Sequence, residues 1–532
     1  MRIFRHLGRS APKLDDRHAE GAAGEGSAAE SSTASSERSV RAAFIAVLIG
    51  MAMVPLDMTA VATAAPALAI SLGELSDVAW VVTAMALGMT ISIPIMGRLS
   101  DMQGRRKIFQ AAIVLFVIGS VASGLSQSLG QLIAARFVQG IGGGGLMTLS
   151  QIILGDIVSP RRRGHYMGYV GAMFAVVNIT GPILGGFIVD HFTWRLIFFL
   201  NLPLGAIAMA VSIRFLPRTS STSGKSTIAA MSVLYFTLTV AGGFLVLSWG
   251  GDTYPWRSPV ILLLAAGTVL ALVVFVLVQR KSLMPIFPRD LLRNRTFLVA
   301  SGLGLATGVA MHSTILFVPV FLQGVSGLDA TTSGLLLMVF MASIIVSMIV
   351  SNRLITTRGT YKGFAVIGGV AMAVGLGLLG SIGAETNVGD FIGYLAIVGV
   401  GIGLVVQVPI LVVQNDVPRR VMGAGTAGTL FFRQVGTTAG VAAAGALFAG
   451  TIARALAERL PGTTSIDTDR LLSDGIASVP LETVAVLRDV LGGAISDVFL
   501  AFGFSAAVLC LVLALLLPAR PLRDSVETFP AP

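Results

Sequence analysis

Fourteen separate apolar runs follow one another between residues 42 and 517, and no other feature limits the fold so tightly. They fall at 42–70, 77–97, 108–126, 131–155, 166–189, 197–216, 228–250, 259–279, 297–322, 331–351, 364–384, 389–414, 422–450 and 495–517. Each has the roughly 20 residues that a helix needs to cross about 30 Å of hydrocarbon. The runs are continuous and do not alternate, which excludes an outer-membrane barrel. The chain is 54% hydrophobic and 12% charged, about half the charge of an ordinary soluble domain. An all-α polytopic membrane protein is therefore predicted, and a soluble enzyme or a disordered scaffold is excluded. Residues 1–41 are polar, rich in Ser, Ala, Glu and Arg, and read as a disordered tail that is not a cleavable signal. The one cysteine, Cys510, excludes a disulfide framework and a cysteine metal site.

The net charge of +10 would suit a nucleic-acid partner if it formed a patch, but it is distributed by topology. Of the 37 basic residues, 29 fall in the two tails and in alternate loops near 98–107, 161–163, 214–225, 280–295, 353–362 and 419–420. The opposite loops near 71–76, 127–130, 323–330 and 385–388 have none. By the positive-inside rule both termini are expected in the cytoplasm. Orientation accounts for the charge, and no nucleic acid is expected as a partner.

An internal repeat organises the spans. Arg98, Leu99, Gly104 and Lys107 after span 2 recur as Arg353, Leu354, Gly359 and Lys362 after span 10, always 255 residues on. Gly181 and Gly185 in span 5 recur at the same offset as Gly436 and Gly440 in span 13. Asp156, Pro160 and Arg161 after span 4 recur as Asp416, Pro418 and Arg419, 258–260 residues on. Two six-helix halves are expected, at 42–218 and 283–517, with an inserted two-helix pair at 219–282 and a cytoplasmic tail at 518–532. The outer loop 451–494 is long and charged. Two short amphipathic helices around 451–460 and 480–493 are expected there, as a cover over the outer mouth or as a solvated connector.

Two parallel six-helix halves are an architecture known from transporters, and the motifs agree with it. The run Gly97-Arg98-Leu99-Ser100-Asp101-Met102-Gln103-Gly104-Arg105 resembles the signature of the major facilitator superfamily between its second and third spans, with Met102 where the family usually has a basic residue. Here Gly97 would allow close helix approach, Gly104 a tight turn, and Asp101 with Arg105 an ion pair or helix-end latch. Arg136 with Gln139-Gly140 resembles the family's intramembrane arginine motif. Gly181-Pro182-Ile183-Leu184-Gly185-Gly186 resembles the span 5 motif of exporters and antiporters, with Val177 at its usual first glycine. Leu56-Asp57-Met58-Thr59, Asn201-Leu202-Pro203-Leu204-Gly205 and Phe432-Arg433-Gln434-Val435-Gly436 resemble the drug/proton antiporters of fourteen spans, with Ala62 where those usually have asparagine. The resemblance covers nearly the whole chain after residue 41. It implies a major facilitator fold of 14 transmembrane helices (6+2+6).

Ionisable groups within spans are costly and need a reason. Asp57, Arg136 and Arg433 cannot easily reach an interface; Asp57 lies about 24 Å along a helix from Arg41. Burial and a nearby arginine act on a carboxylate in opposite senses, so a site that alternates between them loads and releases a proton. The repeat offset pairs Asp57 with His312 and Asn178 with Arg433, so both members of a pair are expected to face one cavity. The expected proton-coupling set is Asp57, Arg136 and His312. The expected cavity set is Asn178, Arg433 and the near-equivalent Gln151 and Gln407. Each also has a structural reading, as a helix brace or a satisfied interhelical hydrogen bond.

The glycine clusters Gly142–Gly145 and Gly399–Gly403 sit inside spans with no preceding strand and no Walker lysine, so they are not nucleotide loops. No cofactor is expected, and transport would be driven by the proton-motive force. The function expected is proton-coupled efflux of amphipathic or hydrophobic small molecules, such as drugs or antibiotics, by a non-enzymatic monomer in the bilayer. The 32 arginines against 5 lysines point to a GC-rich bacterium and to its cytoplasmic membrane. A lipid or secondary-metabolite exporter and a proton-coupled nutrient importer stand as alternatives, and a non-transporting receptor is a more distant one.

Overall fold

Inside hydrocarbon there is no water for the backbone, so an apolar run has to satisfy its own N–H and C=O groups as a helix. A computed structural model describes residues 41–72, 75–158, 163–216, 230–251, 253–383, 385–459 and 481–522. Among these residues fourteen helices are long and apolar enough to cross a membrane. Spans 1 to 6 are Arg41–Thr63, Trp80–Gln103, Arg105–Leu125, Leu129–Ile157, Tyr166–His191 and Arg195–Phe215. Spans 7 and 8 are Ala230–Trp249 and Pro259–Lys281. Spans 9 to 14 are Arg295–Val325, Thr331–Arg358, Lys362–Leu379, Val388–Asp416, Arg419–Ala455 and Val486–Leu516. Span 1 breaks at Ala64 and resumes as a helix over Ala65–Leu72, with Pro66 in its first turn, where the missing proline N–H costs nothing.

Equivalent spans pack in equivalent ways. In the first half span 5 lies on span 1: a Cβ at Gly181 would overlap Thr59, and one at Gly185 would overlap Ala60 and Thr63. In the second half span 13 lies on span 9, where Gly436 abuts the Leu305 carbonyl and Gly440 abuts Val309. The loops after spans 2 and 10 also match, since Gly104 (φ 96°) and Gly359 (φ 70°) both take the left-handed backbone that glycine tolerates best. The halves meet along two seams, span 2 against span 13 and span 5 against span 10. Spans 7 and 8 pack on each other, and span 7 lies against spans 2 and 13. Phe236 of span 7 joins Phe275 of span 8 and Phe431 of span 13 at centroid distances of 5.3 and 5.4 Å.

The segment 451–494 differs from the expectation of separate short helices. One helix runs unbroken over Met422–Arg459, and another over Leu481–Val498 leads straight into span 14. Gly450 does not interrupt the first. Leu487, Val490, Ala494 and Ile495 are buried, so the charged amphipathic stretches are extensions of two spans. The middle of that loop, the tail 1–40 and residues 523–532 lie outside the described residues. Residues 518–522 are fastened to the loop after span 10: the Tyr361 hydroxyl donates to the Pro518 carbonyl at 2.7 Å, and the Leu522 N–H to Gly359 O at 3.0 Å.

Candidate functional site

Three polar assemblies stand out from the apolar packing, and the first surrounds Asp57. A buried carboxylate needs its oxygens occupied. Arg136 of span 4 pairs with Asp57 Oδ2. Gln139 Nε2, one turn further along span 4, donates to Oδ1 at 2.8 Å, and Asn201 Nδ2 of span 6 donates to the same oxygen at 2.7 Å. Arg136 is itself held by Gln139 Oε1 at 2.9 Å and by the Val81 carbonyl of span 2 at 3.4 Å. Its guanidinium lies 5.6 Å from the Phe198 ring centroid, within cation–π range. Asn201 also donates to Ser120 Oγ of span 3, whose hydroxyl donates to the Phe198 carbonyl. Asp57, Arg136, Gln139, Asn201 and Ser120 are all at most 2% exposed. Five spans thus converge on one acid, inside the first half.

The second assembly closes the end of the bundle that carries the basic loops. Asp101 accepts from the backbone N–H groups of Gly423 (3.0 Å) and Ala424 (2.8 Å), at the start of the long helix of span 13. A carboxylate on a helix N-terminus satisfies orphan donors and complements the helix dipole. Arg105 pairs with Asp101 and reaches Asp156 at 3.0 Å, which it can do because the chain reverses at Gly104. Gly97 sits directly against Ala427 of span 13. Beside this latch Gln414 Nε2 of span 12 donates to the Gln151 carbonyl of span 4 at 3.0 Å. The two halves are therefore joined at this end.

Beyond the latch, between the halves, lies a cavity of about 750 Å3. Met58, Met89 and Phe244 give it apolar walls, and Gln434, Thr437 and His312 supply polar points. No carboxylate lines it among the described residues. Its volume falls within the usual range for drug-sized ligands, about 300–1,000 Å3. Span 7 contributes Phe244, Leu247 and Ser248, so the inserted pair reaches the cavity wall. His312 Nδ1 sits 3.1 Å from Thr437 Oγ1 and 3.3 Å from the Gly308 carbonyl.

The remaining residues singled out from the sequence are more scattered. Arg433 is one helical turn from Thr437, half-buried, and its guanidinium has no hydrogen bond or ion pair among the described residues. Asn178 is exposed on span 5 and bonds back to the Phe174 carbonyl. Gln151 and Gln407 do not line the cavity: Gln151 is buried near the latch, and Gln407 Nε2 lies 3.9 Å from Met348 Sδ. Pro182 is inside the span 5 helix, and a Cβ at Gly186 would meet nothing within 4 Å among the described residues. Sequence reasoning missed Gln139, Asn201 and Ser120 as partners of Asp57. The signal was there for two of them: Gln139 lies three residues from Arg136 on the same helix face, and Asn201 interrupts an apolar span.

The comparisons with known proteins agree with this arrangement. Residues 47–441 match the Major Facilitator Superfamily profile. An uncharacterized MFS-type transporter of Mycobacterium tuberculosis is 33% identical over 482 residues, which cover 90% of this chain and 70% of the relative. Multidrug transporter protein MdtP of Bacillus subtilis is 33% identical over 413 residues, 78% of this chain and 76% of the relative. The fold is similar to that of the proton:xylose symporter XylE, with a TM-score of 0.58 at 14% identity, covering 91% of this chain and 98% of that one. With fourteen apolar helices, two matching halves and this profile over most of its length, the chain belongs to the major facilitator superfamily of membrane transporters.

Proposed function

We propose that this chain exports amphipathic or hydrophobic small molecules across a bacterial cytoplasmic membrane in exchange for protons, with its basic end and both termini in the cytoplasm. The observation that carries the reading is the juxtaposition on span 1. Pro55 and Met58 line the 750 Å3 cavity while Asp57, between them, faces the other way into Arg136, Gln139 and Asn201. One helix is therefore in contact with substrate on one side and with an ionisable pair on the other. Taking up a proton at Asp57 means giving up the Arg136 pair, and span 1 is then free to shift against span 4. A largely apolar cavity with methionine walls suits varied hydrophobic ligands, and the similarity to a multidrug transporter points the same way. In this orientation the latch at Asp101 closes the cytoplasmic side, and the cavity belongs to an outward-facing state.

One proton moving down about 100 mV releases about 2.3 kcal/mol. That supports roughly a fifty-fold gradient of a neutral substrate, at 1.4 kcal/mol per factor of ten. The test is Asp57→Asn in inside-out vesicles, with uptake of a lipophilic dye driven by an imposed pH gradient. Uptake is expected to collapse while substrate counterflow without a gradient persists. Undiminished gradient-driven uptake would sink the coupling role.

A further inference from the structure

Away from the central cavity, the link between spans 8 and 9 forms a second, open-mouthed site. After Lys281 the chain stays at the basic end: Ile286 and Leu291 are fully buried, and Phe287 packs against Phe236 and Phe431 at 6.3 and 6.0 Å. Between this link and the outer face of span 8 is a cavity of about 440 Å3. Its inner wall is apolar, made by Phe275 and Phe287, with Val276 leading out to the mouth, and its rim carries Arg280, Arg289 and Arg293.

The polar groups of this site are underused. Arg289 is held over the rim by a bond to the Arg280 carbonyl. The guanidinium groups of Arg280 and Arg293 have no ion pair among the described residues. The acid of the link, Asp290, is already taken by Arg420 at 2.8 Å. Gln279, which lines the cavity, accepts from the Ile286 N–H at 3.0 Å through Oε1, while its Nε2 is buried without a partner. The surface around the mouth is greasy: Leu283 is 95% exposed, and Leu277, Leu292 and Val276 are also exposed. A soluble anion has no use for such surroundings, whereas a membrane lipid does.

We propose that this cavity seats one anionic phospholipid of the leaflet on the basic side. Its phosphodiester lies among Arg280, Arg289 and Arg293 and accepts from Gln279 Nε2, and an acyl chain runs along Phe275 and Val276. Basic pockets between helices at the cytoplasmic face are suited to such headgroups, and arginine to bidentate phosphate contacts. The lipid fastens span 8 to the start of span 9, and through span 8 it steadies span 7, which forms part of the central cavity wall.

Native mass spectrometry of the purified full chain, titrated with phosphatidylglycerol or phosphatidylcholine, tests the site. One retained phosphatidylglycerol is expected, with at least ten-fold preference over phosphatidylcholine. The triple variant Arg280→Gln, Arg289→Gln, Arg293→Gln is expected to lose that preference. A charge-matched control, Arg353→Gln, Arg358→Gln, Lys362→Gln, removes three cations elsewhere at the same end and is expected to keep it. Val276→Trp fills the acyl groove without changing charge, and it too is expected to lose the retained lipid. Equal loss in the control, or a retained lipid in both site variants, would overturn the proposal. So would displacement of the lipid by equimolar glycerol 3-phosphate, which would make this a site for soluble phosphates.

Discussion

At positions 255 residues apart the two halves hold an acid and an imidazole in opposite circumstances. Asp57 is sealed behind span 1 by an arginine, two amides and four neighbouring spans; His312 faces the central cavity with a threonine for company. The difference begins in spans 4 and 12. Arg136 and Gln139 would correspond, at offsets of 258–260, to Tyr394–Ala396 and Ile397–Gly399, a stretch with no charge at all. Leu395 and Val398 there are fully buried in the hydrophobic core of the second half. The duplicated scaffold therefore keeps its helix packing in both halves, while among the described residues a counterpart of the Asp57–Arg136 pair is absent from the second. On the function proposed above, the first half handles the proton, the second half presents polar contacts to the substrate, and span 1 touches both.

The most severe way to break this comparison is to unpair the acid. Arg136→Leu leaves a buried carboxylate without its cation and is expected to cost about 3–5 kcal/mol, read as a fall in thermal unfolding temperature in detergent. Adding Asp57→Asn should recover a large part of that loss, and simple additivity of the two changes would show that the pair is not coupled. Asn201→Ala removes one donor from Asp57 and one partner from Ser120, with an expected loss of about 1–3 kcal/mol by the same measurement. Asp101→Asn removes the charge paired with Arg105 and turns one acceptor oxygen into a donor facing a backbone N–H of span 13, and a loss of about 1–3 kcal/mol is expected. In that variant a thiol reagent should label Thr426→Cys, now buried beside Gln414, several-fold faster. The smallest effect on stability is expected at His312→Gln, below about 0.5 kcal/mol, with altered substrate preference as its signature. The native Cys510 is fully buried, so introduced thiols can be read directly: His312→Cys should react with a water-soluble reagent and Ser120→Cys should not.

How much of this could be read from the sequence depended on the length scale of each cause. Helices were legible because a span is set by some 20 consecutive residues. The repeat was legible because Gly181, Gly185, Gly436 and Gly440 must be small wherever two spans press together. Asp57 and Arg136 stood out because charges in hydrocarbon are expensive. Gln139 and Asn201 did not, since neutral amides are common enough in spans, and only the folded arrangement brings Asn201 to an oxygen 144 residues away. Cavities were the least legible, being set by where helices fail to meet; hence the scattered positions of Asn178, Gln151 and Gln407. The extended helices beyond Gly450 and before Val486 were misread because an amphipathic, charged stretch looks alike whether it ends a span or lies apart from it.

The pairing of Asp57 with Arg136 also sets a problem of timing for the cell. Span 1 is made before spans 4 and 6, and its acid sits within the helix, where an aspartate opposes membrane insertion by about 2.5–3.5 kcal/mol. Its cation lies 79 residues downstream, a wait of roughly 4–16 s at about 5–20 residues per second, and Asn201 comes later still. During that interval the newborn helix has to be sheltered by the insertion machinery or linger near the headgroups. Assembly of the first half is then complete only when span 6 has arrived, well before the second half has been translated.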